Sequence, residues 1–95
     1  MATATGKIQI EYEEGLHARP AAAFAHLASS YNHCDVKVTC NEDTVNGKSI
    51  MSLLTLGAGC GSELIIEANG EKAQELVDAL IDLVRRRFDI STNGT

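Results

Sequence analysis

The feature that most constrains the fold of this chain is an amphipathic stretch over residues 71–88, in which apolar residues recur at intervals of three and four. This spacing predicts a long helix with a single apolar face. That face is formed by Ala73, Leu76, Val77, Leu80, Ile81, Val84 and Phe88. Because a chain of 95 residues makes one small domain, the face has to pack against another layer of the same domain.

The predicted second layer is a sheet, because four segments of the chain have the alternation of apolar and polar residues that is typical of strands. These segments are residues 7–12, 35–40, 44–46 and 63–68. Turns are expected at residues 41–43 and at Asn69-Gly70. The loop before the fourth strand contains glycines that can adopt positive φ, namely Gly57, Gly59 and Gly61.

Two more helices complete the predicted order βαββαβα. One covers residues 18–30, and a short one begins after Ser49 as its N-cap and ends at about Leu56. Strands with one apolar face and amphipathic helices favour an α+β fold, a two-layer open-faced β-sandwich. In it, a four-stranded antiparallel sheet carries three helices on one face. We expect a single domain over residues 1–95, with its core at about 7–88, a short flexible N-terminus and a C-terminal tail.

Charge and hydropathy exclude several classes of function. The net charge of −5 argues against a nucleic-acid-binding protein, which needs a basic surface. The basic run Arg85-Arg86-Arg87 suits the negative end of the last helix instead. No apolar run is long enough to span a bilayer, and the first residues lack a secretory signal. We therefore expect a cytoplasmic protein that does not insert into membranes.

The number and spacing of the cysteines indicate buried side chains that pack in the core and do not bind a metal ion. Cys34, Cys40 and Cys60 are odd in number and lack CxxC spacing, so we expect small buried side chains in a reducing compartment. Cys34 and Cys40 would share one face of a strand. The sequence lacks the paired cysteine and histidine spacing that is typical of a zinc site, so we expect no bound metal.

The stretch Gly15-Leu16-His17-Ala18-Arg19-Pro20-Ala21-Ala22 places a histidine at the start of a helix. Proline is tolerated in the first turn, where a missing N–H costs nothing. Unpaired backbone N–H groups, the helix dipole and Arg19 together would favour an anion there. A neutral imidazole is nucleophilic near neutral pH, so His17 is a candidate acceptor of a phosphoryl group. On these residues alone, His17 could instead only cap the helix. His26 and His33 lack this setting, and we expect them at the surface.

The same eight residues resemble the active-histidine signature of HPr, the histidine-containing phosphocarrier of the bacterial phosphoenolpyruvate:sugar phosphotransferase system. A second stretch, over residues 47–57, resembles the regulatory-serine signature of that family. The resemblance implies the open-faced sandwich, and a phosphoryl group carried on Nδ1 of His17 with Arg19 stabilising it. It further implies that the group comes from enzyme I and passes to IIA components, that no cofactor is needed and that the protein is a monomer.

The resemblance also implies two functional sites around the short helix. Ser49 would be a regulatory phosphorylation site, with an HPr kinase/phosphorylase as a further partner, although an N-cap role alone explains a serine there equally well. A partner-docking surface would consist of Ala22, Ile50, Met51 and Leu54. Because a short helix cannot bury a continuous apolar run, we expect part of the set Ile50, Met51 and Leu54 to be exposed, whereas core packing alone would explain the others.

Two features depart from the family pattern and leave an alternative open. Glu14 occupies a position where some HPr proteins carry asparagine, and the carboxylates of Glu11, Glu13 and Glu14 would favour a protonated imidazole and repel phosphate. The tail after Phe88 also exceeds the usual length. The alternative is a regulatory paralogue with little sugar flux, in a nitrogen-type branch or acting through Ser49. A free-standing enzyme is disfavoured, because the chain is too small for a substrate pocket and offers one nucleophile without a base.

Overall fold

The protein is described by a computed structural model, which covers residues 2–10, 18–57, 59 and 61–86. This part of the chain forms four strands and three helices in the predicted order βαββαβα. They are β1 (Thr3–Gln9), α1 (Ala18–Ser29), β2 (Cys34–Cys40), β3 (Asp43–Asn46), α2 (Ile50–Thr55), β4 (Glu63–Gly70) and α3 (Ala73–Arg85). The predicted α+β class is confirmed.

The four strands form one antiparallel sheet in the order β1-β4-β2-β3. Alternate residues along β2 and β4 are buried and exposed, as expected for a sheet with helices on one face only. The buried residues of the sheet are Ala4, Cys34, Val36, Val38, Cys40, Leu64, Ile66 and Ala68. The opposite face carries exposed residues such as Lys37 and Glu67, so the sandwich is open.

The two longer helices cover the apolar face of the sheet. Helix α3 packs against β1 and β4, and α1 packs against both α2 and α3. The predicted apolar stripe of α3 is confirmed, although Ile81 is only partly buried and Phe88 lies outside the described residues. Leu83 is also buried, which the periodicity did not predict. In α1 the buried residues are Pro20, Ala21, Phe24, Ala25 and Ala28.

The sharp turn between β2 and β3 is made by two residues and not by the predicted three. Cys40 pairs directly with Asp43, so only Asn41 and Glu42 connect the strands. Their φ angles are 51° and 78°, as a type I′ hairpin turn requires. This turn matches the twist of the flanking strands, and it allows Asp43 to begin β3 one residue earlier than predicted.

Several other predicted boundaries were wrong, and those at residues 69–70 and at the start of β1 were wrong because strand pairing extends beyond the apolar pattern. Asn69-Gly70 belongs to β4 and is not a turn, since both residues pair with the start of β2. The turn falls at Glu71 and Lys72, so α3 begins at Ala73 and not at residue 71. Strand β1 begins at Thr3, four residues before the predicted start, and ends at Gln9.

Other expectations about single residues are confirmed. Cys34 and Cys40 are buried free thiols on the inner face of β2, whereas Cys60 lies outside the described residues. His26 and His33 are exposed. Two glycines of the loop before β4 have positive φ, at 62° for Gly57 and 89° for Gly61.

Helix α3 approaches the sheet closely at Gly6 in the middle of β1. A Cβ atom built at residue 6 would lie 2.8 Å from Cγ1 of Val77 and closer still to Cδ1 of Ile81. The backbone of β1 and the side chains of α3 therefore meet at a point where no side chain fits. This contact explains why glycine occurs here although its strand propensity is poor.

The first prediction concerns this contact. Gly6→Ala should lower the free energy of unfolding by about 1–3 kcal/mol, because the added methyl group overpacks the interface between β1 and α3. Urea denaturation measures the loss. Gly59→Ala is the matched control, since its Cβ would meet no atom within 4 Å. Equal stability of the two variants would contradict the close packing at Gly6.

Candidate functional site

The candidate site is built from the first turn of α1 and from α2. Helix α1 begins at Ala18, the residue that follows His17 in the sequence. Arg19 is exposed and Pro20 is buried in this first turn. His17 itself lies outside the described residues, as do the acidic residues 11, 13 and 14. The site therefore rests on its described neighbours.

Pro20 and Ala21 hold the start of α1 against the core, since both are buried. The first four backbone N–H groups of any helix lack partners within the helix, so the proline sacrifices no hydrogen bond. Arg19, between Ala18 and Pro20, is exposed in the first turn, at the end of the helix that attracts anions. This end of α1 can accept a negatively charged group.

The strand that leads towards His17 is fixed at its end by the loop before β4. The backbone N–H of Ile10 donates to the carbonyl of Ser62 at 2.8 Å, and the N–H of Gly61 donates to the carbonyl of Ile10 at 2.7 Å. Ile10 is fully buried, although it follows the last residue of β1. The described chain before residues 11–17 is thereby anchored by packing and by two backbone hydrogen bonds.

Helix α2 begins at a well-formed cap. Ser49 has extended dihedral angles, and its hydroxyl accepts a hydrogen bond from the backbone N–H of Ser52 at 3.2 Å. The predicted N-cap is confirmed. Because the hydroxyl oxygen satisfies one of the unpaired donors at the helix start, Ser49 has a structural role whether or not it is modified.

The segment before Ser49 is held by several short contacts that the sequence pattern did not indicate. The backbone N–H of Lys48 donates to the Asn46 side chain at 2.9 Å, and Lys48 Nζ donates to the carbonyl of Tyr31 at 3.0 Å. Gly47 is buried where an added Cβ would lie 2.5 Å from Cγ1 of Val36. These contacts join the start of α2 to the end of α1 and to β2.

The exposed face of α2 carries large apolar side chains. Met51 is 72% exposed and Ile50 is 43% exposed. Leu54 is half-buried and packs against the core, so core packing accounts for this member of the apolar run, whereas Ile50 and Met51 are exposed. Leu53 is fully buried and fixes the helix, which leaves a six-residue helix no way to bury the residues on its other side.

The four residues predicted for partner docking are distributed over two packed helices. Ala22 is half-buried on α1, and Ile50, Met51 and Leu54 lie on α2, which packs against α1. We call these four residues the α2 surface. Ile50 and Met51 supply its solvent-exposed apolar area, and Ala22 and Leu54 are its partly covered members.

A polar cleft lies at the other end of α1, next to the start of α3. Its walls are formed by residues 30–33, Glu71, Lys72 and Glu75. The Tyr31 hydroxyl donates to Oε2 of Glu75 at 2.8 Å, and this hydrogen bond raises the pKa of Tyr31. Among the described residues, no three histidine, cysteine or acidic side chains could hold a metal ion together.

With this geometry in place, comparisons with known proteins assign the family. A sequence profile described as the phosphorylation site of the PTS HPr component matches residues 4–86. The chain belongs to the PTS HPr family. It is similar to the phosphocarrier protein HPr of Pseudomonas aeruginosa, with 44% identity over 84 residues, covering 87% of this chain and 92% of the relative. The chain is therefore an HPr phosphocarrier of the phosphotransferase system.

Solved HPr structures agree with the fold. The HPr-C-His structure from Thermoanaerobacter tengcongensis has a TM-score of 0.82 at 36% identity, covering 96% of this chain and 99% of the other. Crh of Bacillus subtilis, described as a catabolite repression protein and a domain-swapped dimer, has a TM-score of 0.70 at 36% identity, covering 85% and 92%. No helix in the described part of this HPr is long and apolar enough to cross a membrane.

The second prediction tests the cap. Ser49→Ala should lower the free energy of unfolding by about 1 kcal/mol, because the N–H of Ser52 loses its acceptor. Ser49→Asp should lose less, since aspartate is also a good N-cap and its charge suits a helix start. Urea denaturation of both variants is the measurement.

Ser52→Ala is the matched control, because it changes the neighbouring serine within the helix and alanine is the better helix former. If Ser49→Asp proved less stable than Ser49→Ala, the cap geometry at Ser49 would be contradicted.

Proposed function

We propose that this HPr carries a phosphoryl group on His17, receives it from enzyme I, and passes it to IIA components of sugar transport. One observation carries the proposal: α1 begins at the residue after His17, with Arg19 exposed in its first turn. In the transfer, the lone pair of Nδ1 forms the new phosphorus–nitrogen bond as the bond to the donor breaks. The backbone N–H groups and Arg19 offset the charge of the bound group.

The start of α1 suits a group that must be bound and then released. An exposed helix end stabilises a negative charge only modestly, by about 0.3–1 kcal/mol. A phosphoryl group is therefore favoured there but not trapped. Since Pro20 and Ala21 are buried, the first turn keeps its shape while the exposed Arg19 adjusts to the charge that it meets.

We further propose that enzyme I and the IIA components bind the α2 surface. The support is the exposure of Ile50 and Met51 on a helix that Leu53 fixes to the core. A small exposed apolar area suits transient docking, and the flexible thioether of methionine can adapt to more than one partner. The monomeric state stays a prediction, because the similar Crh structure is described as a dimer.

A regulatory role is a second candidate function, favoured by the position of Ser49. The hydroxyl that caps α2 directly precedes the exposed Ile50 and Met51. Phosphate at this position would place two negative charges at the edge of the proposed docking surface without opposing the helix dipole. An HPr kinase/phosphorylase is the partner that this role requires. The alternative that this chain is a regulatory paralogue is also supported by its similarity to Crh, which is described as a catabolite repression protein.

The third prediction tests the carrier function. Incubation with enzyme I and phosphoenolpyruvate should add one acid-labile phosphoryl group, detected by intact mass. His17→Ala should accept none, and Arg19→Ala should accept it with a rate lower by about tenfold to a hundredfold, because an ionic hydrogen bond contributes about 1.5–3 kcal/mol. His26→Ala is the control, as an exposed histidine elsewhere on α1. Labelling of His17→Ala would exclude His17 as the acceptor.

The fourth prediction tests regulation through Ser49. Ser49→Asp should lower the rate of phosphoryl transfer from enzyme I, because a charge beside an apolar docking surface has to be desolvated when the partner binds. Ser49→Ala should not lower it, although it lacks the cap. Transfer rates and thermal melts of both variants should be compared with those of the unmodified protein. Equal rates for the two variants would leave Ser49 as a cap without regulatory effect.

A further inference from the structure

The sulfur-containing side chains of this HPr differ sharply in exposure. Met51 is 72% exposed on α2, whereas Cys34 and Cys40 are 2% and 1% exposed within the core. Among the sulfur-containing residues of the described chain, an oxidant in solution meets Met51 first. Met1 and Cys60 lie outside the described residues.

We propose that Met51 is a site of reversible oxidation to methionine sulfoxide, and that this oxidation weakens binding at the α2 surface. The oxidant is a two-electron oxygen donor of the peroxide class. The sulfur lone pair attacks one peroxide oxygen, the O–O bond breaks and an S–O bond forms, while the other oxygen leaves as water from hydrogen peroxide or as an alcohol from an alkyl peroxide. A thiol-dependent methionine sulfoxide reductase reverses the step, since two thiols become a disulfide and the oxygen leaves as water.

The chemistry of the two kinds of sulfur adds to the difference in exposure. A thiol reacts as its thiolate, so it has to lose a proton before it attacks an oxidant. The thiol of Cys34 also donates a hydrogen bond to the carbonyl of Glu71 at 2.6 Å. A thioether needs no ionisation before it reacts. The thioether sulfur of Met51 is therefore both accessible to an oxidant in solution and reactive without losing a proton first.

Oxidation would change the side chain where the proposed docking depends on it. The sulfoxide oxygen is a strong hydrogen-bond acceptor, and enclosing it in an apolar contact without a donor costs free energy. Met51 is the most exposed large apolar side chain of the described residues, and its neighbour Ile50 is the second. This part of the inference rests on the proposed function, because it assumes that enzyme I contacts Met51.

The fold itself should survive the modification. Leu53 holds α2 to the core and Ser49 caps it, and neither contact involves the Met51 side chain. The oxygen is added on the solvent side of the helix. Oxidation should therefore affect binding and leave the thermal midpoint nearly unchanged, which separates a surface effect from partial unfolding.

The first measurement is independent of any partner. The full-length protein is treated with increasing hydrogen peroxide, and peptide mass spectrometry follows oxygen uptake separately at Met1, Met51 and each cysteine. Met51 should gain one oxygen atom before Cys34 or Cys40 reacts, and reductases for both sulfoxide epimers should remove it. Oxidation of either buried cysteine ahead of Met51 would overturn the assignment of the site.

The second measurement is the affinity for enzyme I before and after peroxide treatment. Oxidation should weaken it about tenfold, a loss that the reductases reverse. Met51→Leu is compared with its own untreated sample, and peroxide should not alter its affinity, because leucine has similar volume but no sulfur. An equal loss in Met51→Leu would assign the effect to another residue and overturn the proposal.

Two further outcomes separate this proposal from the carrier function. If the untreated protein binds enzyme I and oxidation of Met51 leaves the affinity unchanged, the effect on binding is overturned while the carrier function stands. If the untreated protein neither binds enzyme I nor accepts phosphate from it, the carrier function fails together with the effect on binding. The peptide map still decides whether Met51 is the oxidised site.

Discussion

The structure depends on the central position of β4, which pairs with β1 on one side and β2 on the other. The two neighbouring strands are far apart in the sequence, so β4 joins the beginning of the chain to its middle. Helix α3 follows β4 directly and covers β1 and β4 from the apolar side. The close approach at Gly6 shows how tightly α3 packs against β1, since side chains of the helix occupy the space that a side chain at residue 6 would need.

This frame determines where the candidate site lies. The end of β1 is fixed to the loop before β4 by the hydrogen bonds of Ile10, and α1 begins after the following seven residues. Helix α2 is attached to the same frame through Leu53, through the link from Lys48 to Tyr31, and through its packing on α1. Each helix is thereby held by its buried side, and its opposite side is exposed to solvent.

The sequence predicted the parts of this architecture that follow from local rules. The stripe of α3, the alternation in β2 and β4, the cap at Ser49 and the exposure of Met51 all depend on periodicity or on capping chemistry, which neighbouring residues determine. Boundaries were predicted less well. Thr3–Gly6 and Asn69-Gly70 have no apolar signal of their own and are strand because β1, β2 and β4 pair there.

Contacts between distant residues could not be predicted from a single sequence. The fit of Gly6 under Val77 and the reach of Lys48 to Tyr31 depend on where two remote segments meet after folding. The sequence also left open which of Ile50, Met51 and Leu54 would be exposed. In the structure Leu54 packs partly against the core next to the buried Leu53, and the other two residues are exposed.

A carrier of a labile group has reason to keep its chemistry on helix ends and not in a pocket. An enclosed site would favour one partner and would retain the charged group, whereas an exposed site lets a donor and an acceptor approach the same atoms in turn. An open sheet that holds two helices by their buried sides provides such exposed surfaces with fewer than a hundred residues. Such an arrangement leaves an apolar helix face exposed to solvent in the free protein. In this chain that face includes Met51. The accessible, polarizable sulfur of its flexible side chain lets it adapt its shape to an apolar contact, and the same sulfur is open to oxidants.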